Sequence, residues 1–352
     1  MTCYRISSQF SYRVNWNRCT GLYFKNIKRS FGSSLKKKKA VNLSYASYEN
    51  PEESTKPPIF IFHGILANKT QWEDIGKTIL RVTGRRVVAV DLRNHGNSPH
   101  CPHKYVDQAY DVLKLLDKLK VTQASLIGHC IGGRIAMCVA LIAPRKVAGL
   151  LVVDISPIST PPSFVVYMPK ILTSMASVNF KNVKNISTAK IEARKQLNKT
   201  VGDDLLMNDI LSNVRIKVDG TIGWICNLDV LLKDYRYWTT FPRVSGNLKY
   251  KGPTLFLGGQ LSEFIPPDDL NDVRTLFPSA VITYLNNAGH YLQVEDPLNF
   301  LQITVSFLRR HRYKNNKVLH QSLLFLPIYA VLVHVVVRFI NLVFLKTSSR
   351  SL

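Results

Sequence analysis

Six short apolar runs punctuate the middle of the chain: Ile59-Phe60-Ile61-Phe62, Val87-Val88-Ala89-Val90, Ala124-Ser125-Leu126-Ile127, Leu150-Leu151-Val152-Val153, Thr254-Leu255-Phe256-Leu257 and Val281-Ile282-Thr283-Tyr284. Their apolar character is continuous rather than alternating, which is the pattern of strands buried on both faces. Between the second and third runs, Tyr105 to Leu119 carries apolar residues at helical spacing, with Val112, Leu115, Leu116 and Leu119 on one side. Such strands separated by helices predict an α/β fold, with a mostly parallel central sheet and helices on both faces. From about Pro157 to Lys251 the alternation gives way to helical, polar-rich sequence. In a sheet whose ligands bind at the carboxyl ends of the strands, that insertion predicts a helical cap over the site, at about residues 158–250.

The ends of the chain differ from this middle. Of a net charge of +24, eighteen units lie in the first 48 residues and after Leu308, so the basicity belongs to the tails. The middle carries no zinc-finger spacing, basic heptad helix or aromatic RNA-binding motif, which argues against nucleic acid as a partner. Six cysteines without CxxC spacing argue against a disulfide scaffold or a zinc site, and no metal is expected. Residues 1–43 form a basic, acid-free extension with the character of a mitochondrial presequence, a disordered basic arm being the plainer alternative. Residues 44–310 hold the α/β domain. Ser322 to Leu345 is a 24-residue apolar stretch that reads as a transmembrane or membrane-associated helix, although Arg338 opposes insertion by about 3 kcal/mol. Five Lys/Arg precede it and two follow, which places the domain on the cytoplasmic or matrix side. With a presequence, that is the matrix side of the inner mitochondrial membrane; without one, it is the cytosolic face of an intracellular membrane.

The chemistry centres on Gly128-His129-Cys130-Ile131-Gly132-Gly133, directly after a strand and before the helical pattern Arg134 to Leu141. This is a G-x-nucleophile-x-G elbow with cysteine in the nucleophile position. The glycines allow a turn so sharp that a side chain at 128 or 132 would strike the neighbouring strand and helix. The turn lifts Cys130 to a helix N-terminus, where amide groups and the macrodipole favour thiolate. A tight turn around a buried cysteine is the plainer reading of this motif alone. His63-Gly64-Ile65 follows the first strand, where the amides of Ile65 and Ile131 would form an oxyanion hole. Asn287-Ala288-Gly289-His290 closes the last run, and the order nucleophile-then-histidine makes His290 the general base. Asp154, at the end of its strand, is the geometric choice for the acid that orients His290, with Glu263 a weaker one.

Val90-Asp91-Leu92-Arg93-Asn94-His95-Gly96-Asn97-Ser98-Pro99-His100, Val153-Asp154-Ile155-Ser156-Pro157, Asn227-Leu228-Asp229 and Gly252-Pro253-Thr254-Leu255-Phe256-Leu257-Gly258-Gly259 resemble the α/β-hydrolase superfamily. Within it they look like the domain-containing-protein-eleven-like members and their bacterial esterase relatives, from about Val41 to Leu308. The resemblance implies a lipid or acyl ester hydrolase, often mitochondrial, that needs no cofactor. It also offers Asp229, in the cap, as the charge-relay acid. The family elbow reads Gly-His-Ser-Met-Gly-Gly, so this chain departs at the nucleophile itself. Two functions follow as expectations: an acyl ester or thioester hydrolase acting through Cys130, or a catalytically impaired pseudoenzyme retained as a membrane-tethered acyl-binding module.

Overall fold

All six apolar runs lie in strands, and the helical pattern between the second and third runs is a helix. The computed structural model describes residues 40–50, 54–242 and 248–310. The basic extension up to residue 39 and the apolar stretch 322–345 lie outside the described residues. Among the described residues, no helix is long and apolar enough to cross a membrane.

The main sheet has seven strands in the order β1-β3-β2-β4-β5-β8-β9. These are β1 (Tyr45–Tyr48), β2 (Ile59–Phe62), β3 (Val87–Val90), β4 (Ala124–His129), β5 (Val147–Val153), β8 (Thr254–Gly259) and β9 (Ala280–Leu285), with β6 (Val214–Ile216) and β7 (Ile222–Trp224) forming a separate pair. All main-sheet pairings are parallel except β1 with β3, so the expected sheet is found with one antiparallel edge added. That edge left no apolar run because every residue of Tyr45–Tyr48 is only half-buried.

Period-2 alternation sends Ile59 and Ile61 to one face and Phe60 and Phe62 to the other. On the first face, Ile59, Ile61, Val87, Ala89, Leu255 and Leu257 share a core with α1 (Glu73–Thr83) and α11 (Pro297–Arg310) through Ile75, Ile79, Phe300 and Phe307. α2 (Tyr105–Lys118) packs against α3 (Ile131–Ile142), and nearly every residue of α3 is buried. Each fully buried Ile, Leu or Phe contributes roughly 1.5–3 kcal/mol, so these two layers hold the strand ends firmly.

Between β5 and β8 the chain builds α4 (Pro162–Ala176), α5 (Ile186–Leu197), α6 (Asp204–Ser212), the β6–β7 ribbon, α7 (Leu228–Lys233) and α8 (Tyr235–Trp238). Arg134, inside the otherwise apolar α3, ties the ends of this insertion down. Its buried guanidinium donates to the carbonyls of Ser156, Ser159 and Thr239 and to the Thr160 hydroxyl. The Asp269 carboxylate accepts from the Ser159 hydroxyl at 2.5 Å and from the Ser156 hydroxyl, which fixes the same segment from the other side.

Candidate active site

Strand β4 ends at His129, and the next residue, Cys130, turns the chain with φ 51 and ψ −126 before α3 begins. A non-glycine residue in the left-handed half of the map is strained and persists only where its surroundings hold it. Here the Cys130 amide donates to Val153 O at 2.9 Å, and its carbonyl accepts from Gly133 N at 2.8 Å. The clearances demand glycine: a Cβ on Gly128 would meet Gly132 O at 2.4 Å, and one on Gly132 would meet His63 O at 2.5 Å. Cys130 is buried at the N-terminus of a twelve-residue helix.

His290 follows β9 after a turn through Asn287, and its Nδ1 donates to Oδ2 of Asp154 at 2.7 Å. Asp154 sits just past β5, fully buried at φ 49, with its amide donating to Leu257 O at 2.9 Å. Its Oδ1 accepts from the Gly259 amide at 3.0 Å, and its Oδ2 also takes the Ser262 hydroxyl. The carboxylate is thus held by β8 and presents one edge to the histidine. The other candidates stand elsewhere. Asp229, offered by the resemblance, is exposed in the first turn of α7, where a carboxylate complements the helix N-terminus, and His290 Nδ1 is already taken by Asp154. Glu263 is exposed and accepts from the Ser163 hydroxyl at 3.2 Å.

With Nδ1 engaged, the His290 ring lines the same cavity as Cys130. Burial lowers the pKa of the ring, but the charge of Cys130 and the hydrogen bonds to Asp154 and Cys130 outweigh it, so the pKa is raised to about 10. Phe264 stacks on the ring with centroids 4.0 Å apart. On its other side His129, 4.7 Å away between centroids, donates from Nε2 to the His290 carbonyl at 2.9 Å. Burial pushes the His129 pKa well below its usual value, which leaves a neutral ring.

The oxyanion loop passes close above. A Cβ on Gly64 would come within 3.2 Å of the Cys130 Cβ, and Ile65 lines the same cavity as the cysteine. The Gly64 carbonyl, which shares a peptide plane with the Ile65 amide, accepts from His63 Nδ1 at 2.7 Å; His63 Nε2 in turn accepts the Leu92 amide at 3.0 Å. Among the described residues, no acceptor takes the amide of Ile65 or of Ile131. Both predicted donors therefore flank Cys130 with their protons uncommitted.

The cavity over these groups holds about 290 Å³. One wall is apolar and comes from the insertion, through Phe164, Tyr167, Met168, Ile171 and Leu206. Another carries Asp203, Asp209 and Tyr291. Burial raises the Asp209 carboxyl to about 7, against the opposing pull of His290 and a hydrogen bond from Tyr291. Among the described residues, no three His, Cys, Asp or Glu side chains are gathered as metal ligands. His129, Phe264, Ser262 and Asp209 are site residues that the sequence reading passed over; for His129 the signal was present, since it stands inside the elbow motif itself.

A buried, strained nucleophile position between a parallel strand and a helix, with Asp from the end of β5 and His from beyond β9, is the arrangement of one large fold family. Its sequence pattern, described as the alpha/beta hydrolase fold, matches residues 57–297. The chain belongs to the α/β-hydrolase family. This α/β hydrolase is 34% identical over 294 residues to the sn-1-specific diacylglycerol lipase ABHD11 of Danio rerio, covering 83% of this chain and 89% of that protein. It is 36% identical over 281 residues to the protein of the same name from Mus musculus, covering 80% and 89%. Among solved structures it is similar to a marine microorganism esterase, with a TM-score of 0.66, 26% identity, and coverage of 76% of this chain and 99% of that one. The family places the chain among the ester-hydrolysing enzymes.

Proposed function

We propose that this α/β hydrolase cleaves acyl thioesters and activated acyl esters through a covalent acyl-enzyme on Cys130. The observation that carries the reading is the grouping of Asp154, His290 and Cys130, in which the carboxylate fixes one ring nitrogen and the ring lines the same cavity as the buried cysteine. With the His290 pKa raised to about 10, the resting ring is an imidazolium placed to hand its proton to a leaving group. The thiolate attacks the acyl carbon, an S–C bond forms, and the carbonyl electrons move onto oxygen facing the amides of Ile65 and Ile131. Collapse expels the leaving group, which takes the proton of His290. Water then attacks the thioester, neutral His290 accepts its proton, and sulfur departs as thiolate with release of the acid.

Sulfur in place of oxygen decides the substrate class. A thiolate leaves more readily than an alkoxide, so the tetrahedral adduct of an ordinary oxyester tends to return to substrate. A thioester or activated ester offers a leaving group that competes. The apolar wall supports an acyl chain of modest length, since the cavity lies at the small end of ligand pockets. The named activity of the relatives, diacylglycerol lipase, supports a lipid-derived acyl group.

The experiment is mass spectrometry of intact protein after brief exposure to an octanoyl thioester, with turnover measured in parallel. An octanoyl adduct on Cys130 that decays in water supports the reading. Absence of both adduct and turnover would leave the pseudoenzyme alternative. The same proposal puts the enzyme at a membrane through residues 322–345, on the matrix side if residues 1–43 are a presequence and on the cytosolic side otherwise. Carbonate extraction checks this: full-length protein released into the supernatant, unchanged by deleting residues 322–352, would defeat the anchor.

A further inference from the structure

We propose that His95 and Asn213 are positioning residues that lock the oxyanion loop, so that docking of the insertion onto the core is part of the acyl-transfer machinery. The inference rests on the acyl-enzyme reading, in which the Ile65 amide receives the developing oxyanion.

Residue 66 is where the loop is least able to hold itself. Leu66 is fully buried and has φ 60, a left-handed conformation that a branched side chain avoids. Left alone, it would relax by rotating its flanking peptides and would carry Ile65 with it. Three successive peptide planes are instead held by side chains. The Gly64–Ile65 carbonyl is held by His63. The Ile65–Leu66 plane is held at its N–H, which donates to His95 Nε2 at 3.1 Å. The Leu66–Ala67 plane is held at its carbonyl, which accepts from Asn213 Nδ2 at 2.6 Å.

The last two of these partners come from different parts of the molecule. His95 is fully buried in the loop after β3, and its Nδ1 donates to Arg93 O at 3.0 Å, which leaves Nε2 as an acceptor. Burial pushes its pKa down to about 3, so the ring stays neutral and keeps that lone pair at any working pH. Asn213 belongs to the insertion, where it forms the C-terminal cap of α6, and is fully buried. Two further bonds bring α6 onto the same loop: Asn68 Nδ2 donates to the Ser212 hydroxyl at 2.9 Å, and Gln71 donates to Asp209. The helix that walls the cavity thus also sets the angle of the amide facing the substrate carbonyl.

Two reactions at the same sulfur test this. Acylation of Cys130 by the octanoyl thioester of 4-nitrothiophenol passes through an oxyanion; alkylation by iodoacetamide displaces iodide in one step and forms none. Rates are read at Cys130 by peptide mass for wild type, His95→Leu, His95→Gln and Asn213→Ala. His95→Leu and Asn213→Ala should slow acylation about 10- to 100-fold, below the roughly 100- to 1000-fold cost of deleting an oxyanion donor outright because the donor is displaced rather than removed, while alkylation keeps its wild-type rate. His95→Gln, whose side-chain oxygen can accept the Leu66 amide, should recover most of the acylation rate. Unchanged acylation in both deletion variants overturns the inference, as does an equal fall in acylation and alkylation, which would mark a merely structural role. A wild-type protein that is alkylated but never acylated would instead bring down the acyl-enzyme reading on which the inference stands.

Discussion

His290 Nδ1 and Asp154 Oδ2 meet at 2.7 Å although 136 residues separate them in the chain. The contact depends on strand register: Val153 pairs with Leu257 and Leu257 with Thr283, which brings the carboxyl ends of β5, β8 and β9 level. Asp154→Asn should keep the shape and stabilise the wrong tautomer of His290. Turnover should fall by roughly 10³- to 10⁴-fold, as loss of this lock does in a serine protease. Asp229→Asn, exposed on α7, should leave turnover at the wild-type level. Steady-state kinetics on both variants checks the ranking, and the reverse order would hand the role to Asp229.

Exchanging the nucleophile separates its two chemistries. Cys130→Ala should abolish hydrolysis of a medium-chain acyl thioester. Cys130→Ser should keep or raise activity on oxyesters, because an alkoxide nucleophile removes the backward collapse. Wild-type thioesterase activity surviving in Cys130→Ala would eliminate Cys130 as the nucleophile.

The His290 ring should remain charged well into the alkaline range. Its pKa is raised from 6.5 to about 10, so the stability it contributes is fully present below about pH 6.5 and is lost as pH climbs through about 10. In an NMR titration the His290 ring protons should shift with a midpoint near 10. Cys130→Ala and Asp154→Asn should each move that midpoint downward, since each removes a cause of the rise. A midpoint near 6.5 in the wild type would contradict the charged His290 ring.

Arg134 should behave as a stability residue rather than a kinetic one. Arg134→Leu removes four donor contacts and leaves the carbonyls of Ser156, Ser159 and Thr239 without that partner. Hydrogen bonds from a charged group are worth about 1.5–3 kcal/mol each, and partial replacement by water brings the expected loss to roughly 3 kcal/mol. Urea unfolding measures it. A loss under about 1 kcal/mol would show that the insertion is held by its apolar contacts alone.

The sheet was legible because strands buried on both faces must be apolar at every position, as in Ile59–Phe62. The β6–β7 ribbon was not, since strands of three residues carry too little periodicity to read. The elbow was legible through Gly128 and Gly132, whose missing side chains are a steric requirement written into the residue type. Asp154 and Asp229 stayed unresolved because the choice lies in parallel register across three strands, a long-range property with no local mark. Phe264 went unseen for a similar reason: an aromatic in a loop does not announce that it stacks on a histidine 26 residues later.

The contacts that shape the elbow run through backbone atoms: Val153 O under the Cys130 amide, Gly132 O behind Gly128, and His63 O behind Gly132. The framework is therefore indifferent to which chalcogen residue 130 carries. Oxygen, sulfur and selenium can be installed in turn at a fixed distance from the same imidazole. A molecule built in this way is a ruler for leaving-group chemistry, with the scaffold held constant and one atom as the variable.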